Sequence, residues 1–189
     1  MSPKFRSLIS ALTIAAAAAF VLMPGSGIAG TAAEIDRDVD KALASLYGQM
    51  PQAKKLGETS KAVLVFPRII KGGLFFIGGA GGEGALRVNG KTDGYYSSIA
   101  VSYGLQLGVQ WFGYAMFFRT DKAHAYLDSS GGWEVGTAPS VVMVDKGAAM
   151  GFSSSSLKDD IYVFFFDQKG LMAGLGLQGT KITKITPDK

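Results

Sequence analysis

Two periodicities divide the chain into a helical N-terminal part and a strand-rich remainder. Between residues 34 and 50 the apolar side chains recur three or four positions apart, which is the spacing of one face of an α-helix. They are Ile35, Val39, Leu43, Leu46 and Met50. Thr31, with Glu34 three residues later, indicates a capping box at the start of this helix. A second short helix is predicted over residues 51–56, a segment that begins with proline and is followed by Gly57.

After this helical part the pattern changes to that of β-strands. Residues 101–111 alternate strictly between bulky apolar side chains and small or amide side chains, and residues 171–177 repeat the design. Residues 62–66 and 161–166 are continuous apolar runs, which indicate strands buried on both faces. Residues 121–127 predict one short helix between the strands.

Glycine accounts for 26 of the 189 residues, and many of these glycines fall on the minor face of the predicted strands. Glycine weakens a strand unless another backbone or a packed ring must come close. A tightly curved sheet brings about such close approaches. We therefore predict a mainly β fold, a closed or partly closed antiparallel β-barrel or sandwich. An N-terminal amphipathic helix precedes it, and one short helix lies near residues 121–127.

The first 29 residues have the layout of a secretory signal peptide. Lys4 and Arg6 precede an apolar run over residues 8–23, and small residues follow as far as Ala29. The run is shorter than the roughly 20 residues of a membrane-spanning helix. We expect cleavage after Ala29 and a periplasmic or secreted protein that can associate with the membrane surface.

The expected organisation is therefore a cleaved segment over residues 1–29, a helical segment over 30–60 and a glycine-rich β domain over 61–189. Residues 30–189 are expected to form a single domain, because they are enough for one hydrophobic core.

The composition offers little to catalysis, metal ions or nucleic acids. The chain has no cysteine and a single histidine, His124, so thiolate nucleophiles are excluded and a zinc site is disfavoured. Residues 79–84 fit the dinucleotide-binding glycine pattern, but a predicted strand follows them in place of the required helix. The formal net charge of +4 is too small to indicate a nucleic-acid partner. We expect no enzymatic activity, no cofactor and no metal.

One local cluster of positive charge is more informative. Between residues 54 and 71 there are five bases and one acid, Glu58, and they flank the apolar run at 62–66. The bases are Lys54, Lys55, Lys61, Arg68 and Lys71. Together with an open apolar face on the first helix, they would suit anionic lipid headgroups. The alternative is that these bases are simply solvated and the helix covers the open end of the sheet.

Several longer motifs resemble the SYLF domain, a lipid-binding module. The resemblance extends over roughly residues 35–185 and is closest to the secreted bacterial branch of the family. It is carried by residues 61–73, 78–86, 102–108, 132–136 and 169–179. It implies a non-enzymatic, exported, soluble protein that binds phosphoinositide or another acidic phospholipid. Some eukaryotic members also bind actin, a partner that an exported chain would not meet.

Two other functions stay open from the residues alone. A small integral outer-membrane β-barrel agrees with the length and the alternating strands, although residues 62–66 and 161–166 are shorter than the roughly 9–11 residues of a crossing strand. A hydrolase that uses paired carboxylates is the second alternative.

Overall fold

The computed structural model of the chain describes residues 30–129, 133–134, 141–144, 158–170 and 180–188. Within these, only the backbone is described for residues 74–77, 102–107, 128–129, 133–134 and 141. The predicted signal peptide over residues 1–29 and the predicted strand over residues 171–177 lie outside the described residues.

The described helices occupy the predicted positions. They are α1 (Ala32–Gln49), α2 (Pro51–Thr59) and α3 (Asp121–Ser129). The capping box of α1 is present: the Thr31 hydroxyl accepts a hydrogen bond from the Glu34 amide at 3.3 Å, and the Glu34 carboxylate accepts one from the Thr31 amide at 3.0 Å. α3 begins in a similar way, since the Thr120 hydroxyl accepts from the Ala123 amide at 3.2 Å. None of the described helices is both long enough and apolar enough to cross a membrane.

Six described strands form one mixed sheet. They are β1 (Ala62–Val88), β2 (Lys91–Phe118), β3 (Trp133–Glu134), β4 (Val141–Val144), β5 (Ile161–Gly170) and β6 (Thr180–Ile185). Their order is β3-β6-β2-β5-β4, with β1 paired along β2. Every described pair is antiparallel except β4 with β5. The described strands do not close into a ring, so the prediction of a mainly β, partly closed fold is confirmed.

β1 and β2 form a single long hairpin ribbon that bends back on itself. Residues 95–100 of β2 pair with β6, whereas residues 110–118 of the same strand pair with β5. The two halves of β2 therefore belong to two parts of the sheet, and the ribbon bends between them. The sequence predicted shorter, separate strands over much of this length.

The core consists of two apolar clusters on opposite faces of this bent ribbon. The inner cluster lies between the two halves and includes Leu86, Tyr96, Tyr114, Phe165 and Ile182, together with Leu127 from α3. The outer cluster joins α1 and α2 to the outer face of the sheet and includes Val39, Leu46, Val65, Phe117, Phe164 and Phe166. The helices therefore cover one region of the outer face.

Two glycines permit the bend. A Cβ atom on Gly84 would collide with the carbonyl oxygen of Val65, and one on Gly82 would collide with the carbonyl oxygen of Arg68. Both contacts join the two ends of β1, which the bend brings face to face. The prediction that a curved sheet requires glycine where backbones approach closely is confirmed at these positions.

Candidate functional site

An exposed apolar strip runs along the outer face of the ribbon. It consists of Ile70, Ile99, Val101, Val109 and Trp111, whose side chains are between 43% and 60% exposed. Scattered apolar side chains are normal on a protein surface, but several large ones exposed on the same face of one ribbon indicate an interaction site. We call these five residues the apolar strip.

The strand register places the strip on one face. Trp111 lies directly opposite Ile70, and residues in register project from the same side of a sheet. Val109, Val101 and Ile99 face glycines on β1, namely Gly72, Gly79 and Gly81. Because glycine has no side chain, these positions on β1 leave the neighbouring valines and isoleucine uncovered.

The inner face of the same region is polar. Ser98, Gln110 and Thr180 are nearly completely buried, at 3%, 4% and 2% exposure. The Gln110 Oε1 and Thr180 Oγ1 atoms have no hydrogen-bond partner among the described residues. At these positions the usual order of a soluble sheet, apolar inside and polar outside, is therefore reversed.

Basic side chains flank the strip at both ends. Lys169 on β5 lies in register with Trp111, and Lys181 on β6 lies in register with Ile99. Both lysines are exposed, and neither forms an ion pair with another described residue. Arg68 is also exposed and lies two residues before Ile70. The strip is therefore an apolar surface bordered by positive charge.

The five bases singled out from the sequence do not form one surface. Lys54 and Lys61 line a cavity of about 410 Å³ beside α2, which they share with Asp40 and Glu58. Lys61 also pairs with Asp121, with 3.4 Å between its Nζ and the carboxylate. Because acidic side chains are mixed with the basic ones, this cavity does not favour the binding of an anion.

The other predicted bases are divided between two places. Lys55 is exposed on α2, whereas Arg68 and half-buried Lys71 lie on β1 beside Ile70. Arg68 and Lys71 are therefore near the apolar strip. The assignment of Lys54, Lys55 and Lys61 to lipid contact stays a prediction.

The apolar face of α1 is not open to a ligand, which corrects one of the two expectations for it. Val39 and Leu46 have no exposed surface, and Ile35 and Met50 are 6% and 2% exposed. All four pack in the outer cluster against the sheet. The helix instead covers part of the outer face of the sheet, and only Leu43 of its predicted apolar face is half-buried.

A cluster of polar contacts fixes α1 to the hairpin. Arg87, whose side chain is only 10% exposed, donates to the carboxylates of Asp36 at 2.9 Å and Asp40 at 2.7 Å. Thr92 and Tyr95 also donate to Asp36, at 2.7 and 2.9 Å. Burial and the hydrogen bond to Asp36 raise the pKa of Tyr95. The charge of Arg87 is thus satisfied internally.

The far end of α1 has its own attachment. The Asp167 carboxylate on β5 accepts hydrogen bonds from Ser45 at 2.9 Å and from Gln49 at 2.7 Å. Sequence reasoning missed both attachments, since Asp36, Arg87 and Asp167 are far apart in the chain and resemble ordinary surface charges.

The described residues contain no group of three or more histidine, cysteine or acidic side chains able to hold a metal ion. His124 is half-buried on α3, and its Nε2 atom has no hydrogen-bond partner among the described residues. Asp160 accepts a hydrogen bond from the Thr120 hydroxyl at 3.0 Å, next to the start of α3.

Comparison with known proteins gives one family match. Residues 99–187 match the family model described as Ysc84, Las17-binding protein actin regulator, whose domain is the SYLF domain. No curated protein shows significant similarity to the chain. The match confirms the SYLF resemblance for the segment that contains most of β2 and all later described strands. The motif over residues 61–73 precedes the matched segment, so its resemblance stays a prediction.

Proposed function

We propose that this protein binds anionic membrane lipid without catalysing a reaction, because residues 99–187 match the model of the Ysc84 (SYLF) family, which is lipid-binding or actin-associated. The proposed contact surface is the apolar strip with Lys169, Lys181 and Arg68 around it. We include an exported, periplasmic or secreted location in the proposal.

The observation that supports this function is the combination of exposed apolar side chains with bases at both ends of the strip. Fully burying a large apolar side chain contributes about 1.5–3 kcal/mol, and the half-exposed members of the strip would contribute part of this. A lysine or arginine near an anionic membrane adds about 1 kcal/mol. Neither contribution needs a covalent step or a catalytic group.

Lipid is favoured over actin by the proposed export, since an exported protein does not meet actin. The ligand is proposed as an acidic phospholipid in general, of which phosphoinositide is one example. The flanking bases recognise negative charge and do not by themselves distinguish one headgroup from another.

Vesicle sedimentation tests the proposal. The protein should sediment with vesicles of equal parts phosphatidylglycerol and phosphatidylcholine, and more weakly with phosphatidylcholine alone. Rising salt should weaken binding to the anionic vesicles because salt screens exposed charges. The double variant Lys169→Gln/Lys181→Gln should bind less than the wild type, whereas Lys91→Gln, an exposed lysine at the hairpin turn, should bind normally. Equal binding to both kinds of vesicle, or binding indifferent to salt, would contradict the proposal.

A further inference from the structure

We infer that the protein engages the surface of an intact bilayer by inserting the convex bend of the β1–β2 ribbon into one leaflet, and does not enclose a single lipid in a cavity. This inference rests on the proposed function and specifies how the lipid is contacted. The strip is the outer side of the bend, since Ser98 and Tyr114 meet on the inner side with 2.7 Å between their oxygens.

Polarity supports insertion of this region. On either side of the bend the apolar strip points outward, whereas the polar side chains of Ser98 and Gln110 point inward, as in strands that face lipid. Elsewhere on the outer face the corresponding side chains, such as Ala115 and Phe117, are covered by α1 and α2. Among the described helices, none packs against the apolar outer face at the bend.

The edge of β1 limits how deep the bend can enter. Among the described strands β1 pairs with β2 alone, so its other edge carries backbone groups that no described strand satisfies. Unsatisfied backbone groups are excluded from the hydrocarbon core. Insertion is therefore shallow, about 5–10 Å, as for other interfacial elements.

The flanking lysines agree with shallow insertion. Lys181 lies beside Ile99 at one end of the strip, and Lys169 lies beside Trp111 at the other. Both project from the strip's own face, so both reach the headgroups of one leaflet when the bend points into it. Val101 and Val109 are nearer the middle of the bend and are expected to lie deeper than Ile99 and Trp111.

The described interior does not offer a site for an acyl chain. The space between the two halves of the ribbon is filled by the inner cluster, including Phe66, Tyr114 and Phe165. The cavity beside α2 is lined by acids and bases such as Asp40, Glu58 and Arg87. Burying a hydrocarbon chain among such groups would cost their hydration.

Depth-dependent fluorescence quenching tests the inference. The chain has two tryptophans, so Trp133→Phe leaves Trp111 as the only reporter. Vesicles of phosphatidylglycerol and phosphatidylcholine would carry bromine either near the glycerol end or near the terminal methyl of the acyl chains. A second reporter is Val109→Trp in a background lacking both native tryptophans. The matched control is Met143→Trp in that background, because Met143 is 43% exposed on β4, away from the strip.

The expected result is stronger quenching of Trp111 by bromine near the glycerol end, and a shift towards the deeper bromine for the reporter at position 109. The reporter at position 143 should not be quenched. Sedimentation with vesicles but no quenching at positions 111 and 109 would overturn insertion while leaving lipid binding intact. Stronger quenching of Trp111 by the deeper bromine would overturn the shallow geometry. Loss of sedimentation altogether would reject the proposed function and the insertion together.

A short-chain phosphatidylglycerol that stays monomeric in water tests the cavity alternative. It should neither compete with vesicles nor change the emission of Trp111. Competition by the monomer would show that single lipids are bound, and would overturn the inference while leaving the lipid-binding function in place.

Discussion

The Tyr114 hydroxyl donates a hydrogen bond to Ser98 Oγ at 2.7 Å, although sixteen residues of the same strand separate the two. An extended strand of that length spans about 50 Å, at roughly 3.3 Å per residue. The bond therefore closes the bend of β2 from inside. Both residues are nearly completely buried, so neither hydroxyl has water as a substitute partner.

Breaking this bond should destabilise the fold. Tyr114→Phe should lower the free energy of unfolding by about 1–3 kcal/mol, because the bond is lost and the Ser98 hydroxyl is left buried without a partner. Ser98→Ala should have a similar effect. The double variant should lose less free energy of unfolding than the sum of the losses in the two single variants. Urea denaturation followed by circular dichroism measures all three. Strict additivity would show that the two hydroxyls do not interact in solution.

The same tyrosine predicts a loss of stability at alkaline pH. Burial raises the pKa of Tyr114 well above its ordinary value of 10.0, with its hydrogen bond to Ser98 as a smaller opposing influence. The folded state then keeps a proton that the unfolded state releases, so this stability is complete below pH 10 and declines as pH rises further towards the folded pKa. Above about pH 10 the free energy of unfolding of the wild type should fall by up to about 1.4 kcal/mol more per pH unit than that of Tyr114→Phe. Urea denaturation at neutral and alkaline pH measures the difference. Parallel pH profiles for the two proteins would contradict the prediction.

Gly84, which lies where the two ends of β1 come face to face, should be difficult to replace. Gly84→Ala would place a methyl group against the Val65 carbonyl, and because that carbonyl belongs to the backbone it cannot move away cheaply. We expect a loss of about 1–3 kcal/mol or more in the free energy of unfolding. Gly72→Ala is the matched control, because a Cβ atom there meets no atom within 4 Å. The prediction is wrong if both variants unfold at the same urea concentration.

Much of the fold was predictable because its signals are local. The helical spacing and the pairing of Thr31 with Glu34 located α1, and both depend on residues a few positions apart. The glycine excess also predicted close backbone contact, although not which backbones meet. The contact of Gly84 with Val65 depends on where the ribbon bends, and no local pattern encodes that position.

The candidate site was less predictable for a related reason. Strict alternation over residues 101–111 shows that the two faces of a strand differ, but not which face water reaches. Outward orientation of Val101, Val109 and Trp111 follows only from the direction of the bend. Lys169 and Lys181 were missed since their neighbours in the chain are unremarkable and their neighbours in the sheet come from β2.

The contact of Arg87 with α1 predicts how firmly the helix covers the outer face. Arg87→Met removes a nearly buried cation from two carboxylates and should lower the free energy of unfolding by about 1.5–3 kcal/mol. Arg37→Met is the control, because Arg37 is 59% exposed and, among the described residues, its ion pair is with the neighbouring Asp38 on the helix surface. That change should stay within about 0.5 kcal/mol. Urea denaturation compares the two variants, and hydrogen exchange of the α1 amides reports whether the helix itself opens. Faster exchange is expected in Arg87→Met but not in Arg37→Met, and equal protection in both would show that the contacts of Arg87 are not needed to hold the helix in place.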